Sequence, residues 1–400
     1  MSFKLQRSDL VIVIYLLFIM VLGLNPNNQE FIIKGLPIYL KEIIIVVFYS
    51  LSFILLFFLR KVKIKKIIIL PVMLFLYAYV TTIFREYDLA FSYIFYPLFL
   101  YLVSLLVSYL YFINIVDYKR FLYLLSLVLV LISLVYAFYF PLGDSGYNRL
   151  KGPLGNAASI HVIILLCISV FAANLWSGYG SKNINLIFIV LSIFLIILTG
   201  SRSALLGLLL FGLIFLIRDI TFKKVFLFAL LSIAAVFIFN NFFAVERISI
   251  EDYSRTENLS TSLKIFSLDW GNIIFGSGYG TVWQWYIQDT THRNIVQYSL
   301  IINQQGYLLY HPHSLILWAL TELGLIGLTI VAYIFLPIFR NFMRVKDSYI
   351  RIIIFGVIST LPSFLFDFFW LKNWSISLIW WLFYFYSTQR FVNTNRNAEV

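Results

Sequence analysis

The 400-residue chain is 62% hydrophobic and only 12% charged, whereas soluble domains run at roughly half apolar and a quarter charged. With 41 Phe, 27 Tyr and a mean hydropathy of +0.92, it has too little polar surface for a water-facing shell, which excludes a soluble globular protein and leaves a polytopic membrane protein. A net charge of +12 would fit a nucleic-acid partner only if Lys and Arg shared a soluble face; here they fall between apolar stretches, so no nucleic-acid partner is expected.

About twelve apolar runs are long enough to cross a hydrocarbon core of roughly 30 Å. Their cores are Leu10 to Leu24, Ile43 to Leu59, Ile67 to Phe84, Phe95 to Ile115, Phe121 to Phe140 and Ala157 to Trp176. The second half supplies Ile184 to Thr199, Ser203 to Ile217, Val225 to Phe243, Ser314 to Phe339, Ile352 to Phe369 and Trp374 to Ser387. The first run is too long for a secretory signal and lacks a small-residue cleavage site, so it reads as a span. The single cysteine, Cys167, lies inside the sixth run, which excludes an intramolecular disulfide.

Lys and Arg in short loops stay on the cytoplasmic side and set orientation. They concentrate in alternate loops: Lys4 and Arg7; Arg60 to Lys66; Lys119 and Arg120; Lys182; Arg218, Lys223 and Lys224; Arg340 to Arg351; Arg390 and Arg396. Both termini are therefore expected in the cytoplasm, and most of the excess positive charge serves topology. The chain then divides into residues 1–243 with nine spans, a large outer loop over 244–312, and residues 313–400 with three spans and a short tail, all in one integral membrane domain. Loops of that length are usually functional or disordered. Its Trp and Tyr residues and the Gly276, Gly278, Gly280 cluster argue for an ordered cap on the membrane surface. Within it Leu263, Phe266, Trp270 and Ile274 recur at helical spacing, with Thr261 or Ser262 as N-cap, which predicts an amphipathic interfacial helix.

Charged residues at membrane depth cost about 2.5–3.5 kcal/mol at a helix centre and are functional candidates by default. Arg202 sits where the seventh run turns into the eighth, on the outer side, where positive-inside bias would not put it. A snorkelling interfacial Arg is the plain alternative. His313 follows His311 and Pro312, and Pro312 places it in the first turn of the tenth span; Gly324 and Gly327 further along let another backbone approach. Glu322 reads as an interhelical partner. Asp367 reads as structural, paired with Lys372 or a His. Arg149 and Lys151 add outer charge ahead of Asn156 and the sixth span, which carries His161 about one turn inside.

In these features the chain resembles the bacterial O-antigen polymerase and O-antigen ligase family. Arg202 with Leu206 matches its Arg-x-x-x-Leu motif. His313-Ser314, nine residues, then Gly324-x-x-Gly327 matches its His-containing motif. The large outer loop immediately before that motif and the stretch Arg149 to Asn156 match as well. The resemblance implies an all-α, GT-C-like membrane protein of about twelve transmembrane helices with one large extracytoplasmic loop, placed in the bacterial cytoplasmic membrane. It implies transfer of an oligosaccharide from undecaprenyl diphosphate to a sugar hydroxyl at the outer face.

Residue chemistry fits that implication. A leaving diphosphate calls for permanent, bidentate cations, which Arg202 and Arg255, or Lys264 as the nearer loop cation, would supply. An acceptor hydroxyl calls for a base neutral near pH 7, and His313 provides one. Arg149, Asn156, His311 and Lys264 are candidate substrate contacts. Direct displacement would invert the anomeric centre. No cofactor or metal is expected. The donor is the carrier-linked glycan and the acceptor a glycan or lipid anchor; a chain-length regulator and a flippase are expected neighbours. A polymerase is preferred over a ligase on the abundance of Phe, Tyr and Ile. The rival class is a lipid-linked oligosaccharide flippase, which has no need of a long outer loop ending in His and usually shows internal repeats.

Overall fold

The computed structural model describes residues 14–16, 30–33, 36–39, 47, 50, 54, 66–83, 91–139, 150, 159–218, 253–283, 312 and 314–389. Among these the architecture is helical, with one exception to the all-α expectation: a short antiparallel hairpin of β1 (Glu30–Ile33) and β2 (Leu36–Tyr39), in which Glu30 faces Tyr39. The helices are α1 (Ile69–Ile83, after a 3-10 turn Lys66–Ile68), α2 (Phe91–Asn114), α3 (Tyr118–Tyr139), α4 (Ile160–Ser177), α5 (Lys182–Thr199) and α6 (Arg202–Arg218). After them come α7 (Tyr253–Phe266), α8 (Trp270–Phe275), α9 (Leu315–Arg344), α10 (Ser348–Ser359), α11 (Phe369–Lys372) and α12 (Trp374–Thr388).

Seven helical stretches among the described residues are long and apolar enough to cross a membrane: Lys66–Ile83, Pro97–Asn114, Tyr118–Phe138, Ile160–Ser177, Lys182–Thr199, Leu315–Arg344 and Ser348–Leu365. Arg202–Leu213 is a shorter apolar helix. The first, second and ninth expected spans fall almost entirely outside the described residues. The eleventh is broken: α10 stops at Ser359, a 3-10 turn Leu361–Leu365 follows with Pro362 at its start, and α11 resumes at Phe369. Proline can begin a helical turn but cannot donate within one, so Pro362 sets the break.

Helix ends follow local chemistry. Gly178 and Gly200 close α4 and α5 in the left-handed conformation, at φ 68° and 56°, which a side chain would strain. Asp347 opens α10 by accepting the backbone N–H groups of Tyr349 and Ile350. The core forms around α4 and α12, whose residues are buried almost all round, as helices surrounded by helices must be. Helix α12 packs on α2, and α10 packs on α4, where Gly356 meets Ser169 so closely that a Cβ would lie 2.2 Å from the serine Cβ. Toward the outside, α1 presents Ile69, Met73, Leu76, Val80 and Ile83, and α5 presents Ile187, Val190 and Phe194, as exposed apolar stripes of the kind lipid covers.

Candidate functional site

Arg202 is the first residue of α6, two residues after the left-handed Gly200 that ends α5. The connection is Gly200-Ser201 and no more. Ser201 donates its backbone N–H to Thr199 Oγ1 at 3.3 Å, and its carbonyl accepts from Ala204 and Leu205, so the turn is tied on both sides. Arg202 itself is exposed at the N-terminal end of α6, the end whose dipole favours negative charge.

Beneath it lies a polar node. His161, in the first turn of α4 and fully buried, has Nε2 2.7 Å from Ser363 Oγ and 3.2 Å from Ser203 Oγ. Ser203 Oγ is in turn 2.9 Å from Ser201 Oγ. One imidazole thus joins α4, the start of α6 and the 3-10 turn after α10. Glycine makes the convergence possible: a Cβ on Gly207 would lie 2.5 Å from the Ser359 carbonyl oxygen, so only Gly lets α6 lie against the end of α10. Around the node, Asn373 donates to Ser159 Oγ at 3.4 Å, and Leu150 donates its backbone N–H to the Leu198 carbonyl at 2.8 Å.

A second polar arrangement is built on α9. Ser314 is its N-cap and its Oγ accepts the Leu317 N–H at 3.3 Å, so the helix opens at Leu315, one residue after the cap and not at His313 as the proline suggested. Helix α9 breaks at Gly324, at φ 64° and ψ −164°. The break receives the outer loop. Ser277 and Gly278 donate backbone N–H groups to the Thr321 and Glu322 carbonyls at 3.0 and 2.9 Å, and a Cβ on Gly276 would lie 2.3 Å from the Glu322 carbonyl oxygen. Gly276 and Gly324 are backbone against backbone.

Glu322, fully buried, closes the arrangement. Its Oε2 accepts from Gly280 at 2.9 Å and its Oε1 from Val282 and Trp283 at 3.1 and 2.9 Å. The sequence reading of Glu322 as an interhelical partner is therefore corrected: it holds the loop's Gly-rich turn. Of the Gly-x-x-Gly pattern, Gly324 likewise admits the loop, whereas a Cβ on Gly327 would meet Leu323 of its own helix. Tyr279 of that turn meets Trp318 edge-on, and Trp318 stacks on Phe368 beside Asp367, whose Oδ1 accepts the Phe368 N–H at 2.8 Å.

The loop's own helices differ from expectation at their start. Helix α7 runs from Tyr253, so Thr261 and Ser262 lie in its interior; the N-cap is Asp269, which opens α8 by accepting the Asn272 N–H at 2.7 Å. Arg255 lies in the first turn of α7 and Lys264, exposed, near its end, and α7 packs on α9. His313, His311, Arg149 and Asn156 lie outside the described residues. Of the expected residues the structure thus places Arg202, Arg255 and Lys264. It adds His161, Ser203 and Ser363, a set whose members are 42 and 202 residues from His161 and which no spacing rule would gather. Among the described residues no three His, Cys, Asp or Glu come together as a metal cluster.

Residues 187–332 match the family model described as Wzy_C, O-antigen ligase. The matched stretch begins within α5 and ends within α9, and so contains Arg202, the outer loop and the His313 motif. No curated protein matches the chain. The family match and the apolar helices together support a membrane protein of polysaccharide biosynthesis, and residues 187–332 are similar to the O-antigen ligase family.

Proposed function

We propose that the chain is a polysaccharide polymerase that moves an undecaprenyl-diphosphate-linked oligosaccharide onto a glycan hydroxyl at the outer face of the cytoplasmic membrane. The observation that carries this reading is Arg202: an exposed guanidinium on a helix N-terminus, fixed by a two-residue turn, inside the family-matched stretch. It would hold the diphosphate, with Arg255 or Lys264 as the second cation from the docked loop. His313 takes the proton from the acceptor oxygen as that oxygen bonds to the anomeric carbon. The bond from that carbon to the diphosphate breaks, its electrons leave on the phosphate oxygen, and the centre inverts. Charge neutralisation by side chains suffices, so the step calls for no metal or cofactor. Arg149, Asn156 and His311 are the proposed glycan contacts, the proposed twelve spans with inner termini form one membrane domain, and a flippase and chain-length regulator work alongside.

A ligase acting on a lipid anchor is the second reading, favoured by the description of the matched family. The surface glycans of a deletion strain separate the two. Polymerase activity predicts an anchor bearing a single repeat unit; polymer accumulated on the carrier beside a bare anchor would establish the ligase instead. Complementation with Arg202→Ala should lower transfer by about 10²–10³-fold, the usual effect of removing one charge-stabilising donor, with Arg202→Lys intermediate. Normal chain length and amount with Arg202→Ala, or with His313→Ala, would overturn the roles assigned to them.

A further inference from the structure

The segment from Leu268 to Trp283 sits on the outer side of the helices, and its surface is wrong for water. Leu268, Trp270 and Phe275 are 72%, 78% and 54% exposed, and Ile274 joins them. Four large apolar side chains exposed within eight residues of an extracytoplasmic loop call for an apolar partner. We propose that this segment is embedded in the outer leaflet, with lipid acyl chains covering that face, rather than lying above the membrane as a cap. The proposal is independent of glycan transfer.

Continuity supports it first. Tyr77 on α1 donates its hydroxyl to the Phe275 carbonyl at 3.1 Å, and α1 is the helix whose Met73, Leu76 and Val80 form an exposed apolar stripe. The loop's apolar face therefore adjoins a face already turned to lipid. Depth supports it second. Taking Lys66 and Arg344 as the inner ends, Tyr77 is eleven residues above Lys66 and Gly324 is twenty above Arg344, or about 16 Å and 30 Å at 1.5 Å per residue. In a core of roughly 30 Å these two rulers bracket the segment between the bilayer middle and its outer boundary.

The third support is the backbone. Irregular chain at membrane depth is tolerated only where protein satisfies its polar groups. Here it does: the N–H groups of Ser277 and Gly278 reach α9 carbonyls, those of Gly280, Val282 and Trp283 reach the Glu322 carboxylate, and the Trp283 indole reaches Thr321 Oγ1 at 2.9 Å. Lys264, exposed on α7 just before this segment, is suited to the phosphate headgroups at the boundary.

Spin labelling of the full chain in vesicles of phosphatidylethanolamine and phosphatidylglycerol tests this. Cys167 is buried, so the native chain serves as background. Nitroxides at Trp270→Cys and Phe275→Cys should collide with oxygen in preference to a water-soluble nickel chelate, by a ratio several-fold above that at Lys264→Cys. Chelate access at 270 and 275 equal to that at 264 would overturn the proposal, as would dipolar broadening from a second copy seated on the face. Quenching by brominated lipids in the unsubstituted chain, diminished in Trp270→Phe, gives the same answer without labels; no loss of quenching in that variant counts against the proposal.

Discussion

Arg202 owes its position to uncharged neighbours. The hydroxyls of Ser201 and Ser203 flank it, and Ser203 is joined to Ser363 through one buried imidazole. Buried hydrogen bonds of this kind are worth about 1–2 kcal/mol each and far more in geometric definition than in net stability. His161 is thus a positioning residue for the helix that carries the cation. His161→Ala should raise the KM for lipid-linked donor about tenfold, with kcat changed less, and His161→Gln, which can restore a polar contact to the serines, should recover most of the loss. Equal damage from Ala and Gln, seen only as reduced protein yield, would reduce His161 to a packing role. Arg202 stood out in the sequence because the charge bias, read as orientation, puts it on the side where arginine is disfavoured. His161 was visible as a polar residue in an apolar run, but its partners were not, since pairing over such separations is decided by how α4, α6 and the turn after α10 pack.

At the scale of elements, the sequence motif around Gly324 becomes a physical joint. A helix gives up its regular hydrogen bonds at a φ of 64°, and the carbonyls of Thr321 and Glu322 turn to the loop instead. Gly276→Ala and Gly324→Ala each place a Cβ about 2.3–2.4 Å from backbone atoms and force a left-handed alanine besides. Strain of that conformation alone costs about 1–2 kcal/mol, and the clash must separate the two backbones. Both variants should lower the thermal midpoint of the detergent-solubilised chain and expose the 268–283 segment to protease. Gly178→Ala, whose Cβ meets nothing within 4 Å, should cost only the conformational strain. Unchanged protease resistance in both joint variants would show that the loop is held by something other than this contact. The alternation of Gly was readable; what it admits was not, because close approach of a loop and of a helix leave the same residue in the sequence.

For the whole molecule, seven of the expected runs coincide with helices long and apolar enough to cross, because helix length in lipid is set by bilayer thickness. Hydropathy was blind to the break at Thr360 and Pro362, where the run stays apolar while the backbone changes form. Orientation rests on the Lys and Arg bias, and reporter insertions test it: one at Tyr179–Ser181, between α4 and α5, should read as cytoplasmic, and one at Ser267, between α7 and α8, as outer. A reversed pair would put Arg202 on the inner side and remove the proposed reaction from its leaflet.

The two-residue joint Gly200-Ser201 has a kinetic meaning beyond placement. With no slack between α5 and α6, the cation on α6 cannot travel without carrying both helices along. The Gly-rich turn after α8 is instead held by reversible hydrogen bonds to one broken turn of α9. The chain therefore has one rigid joint and one detachable one, so under the proposed transfer a weakened Glu322 or Gly324 attachment is expected to change turnover while Arg202 keeps its place.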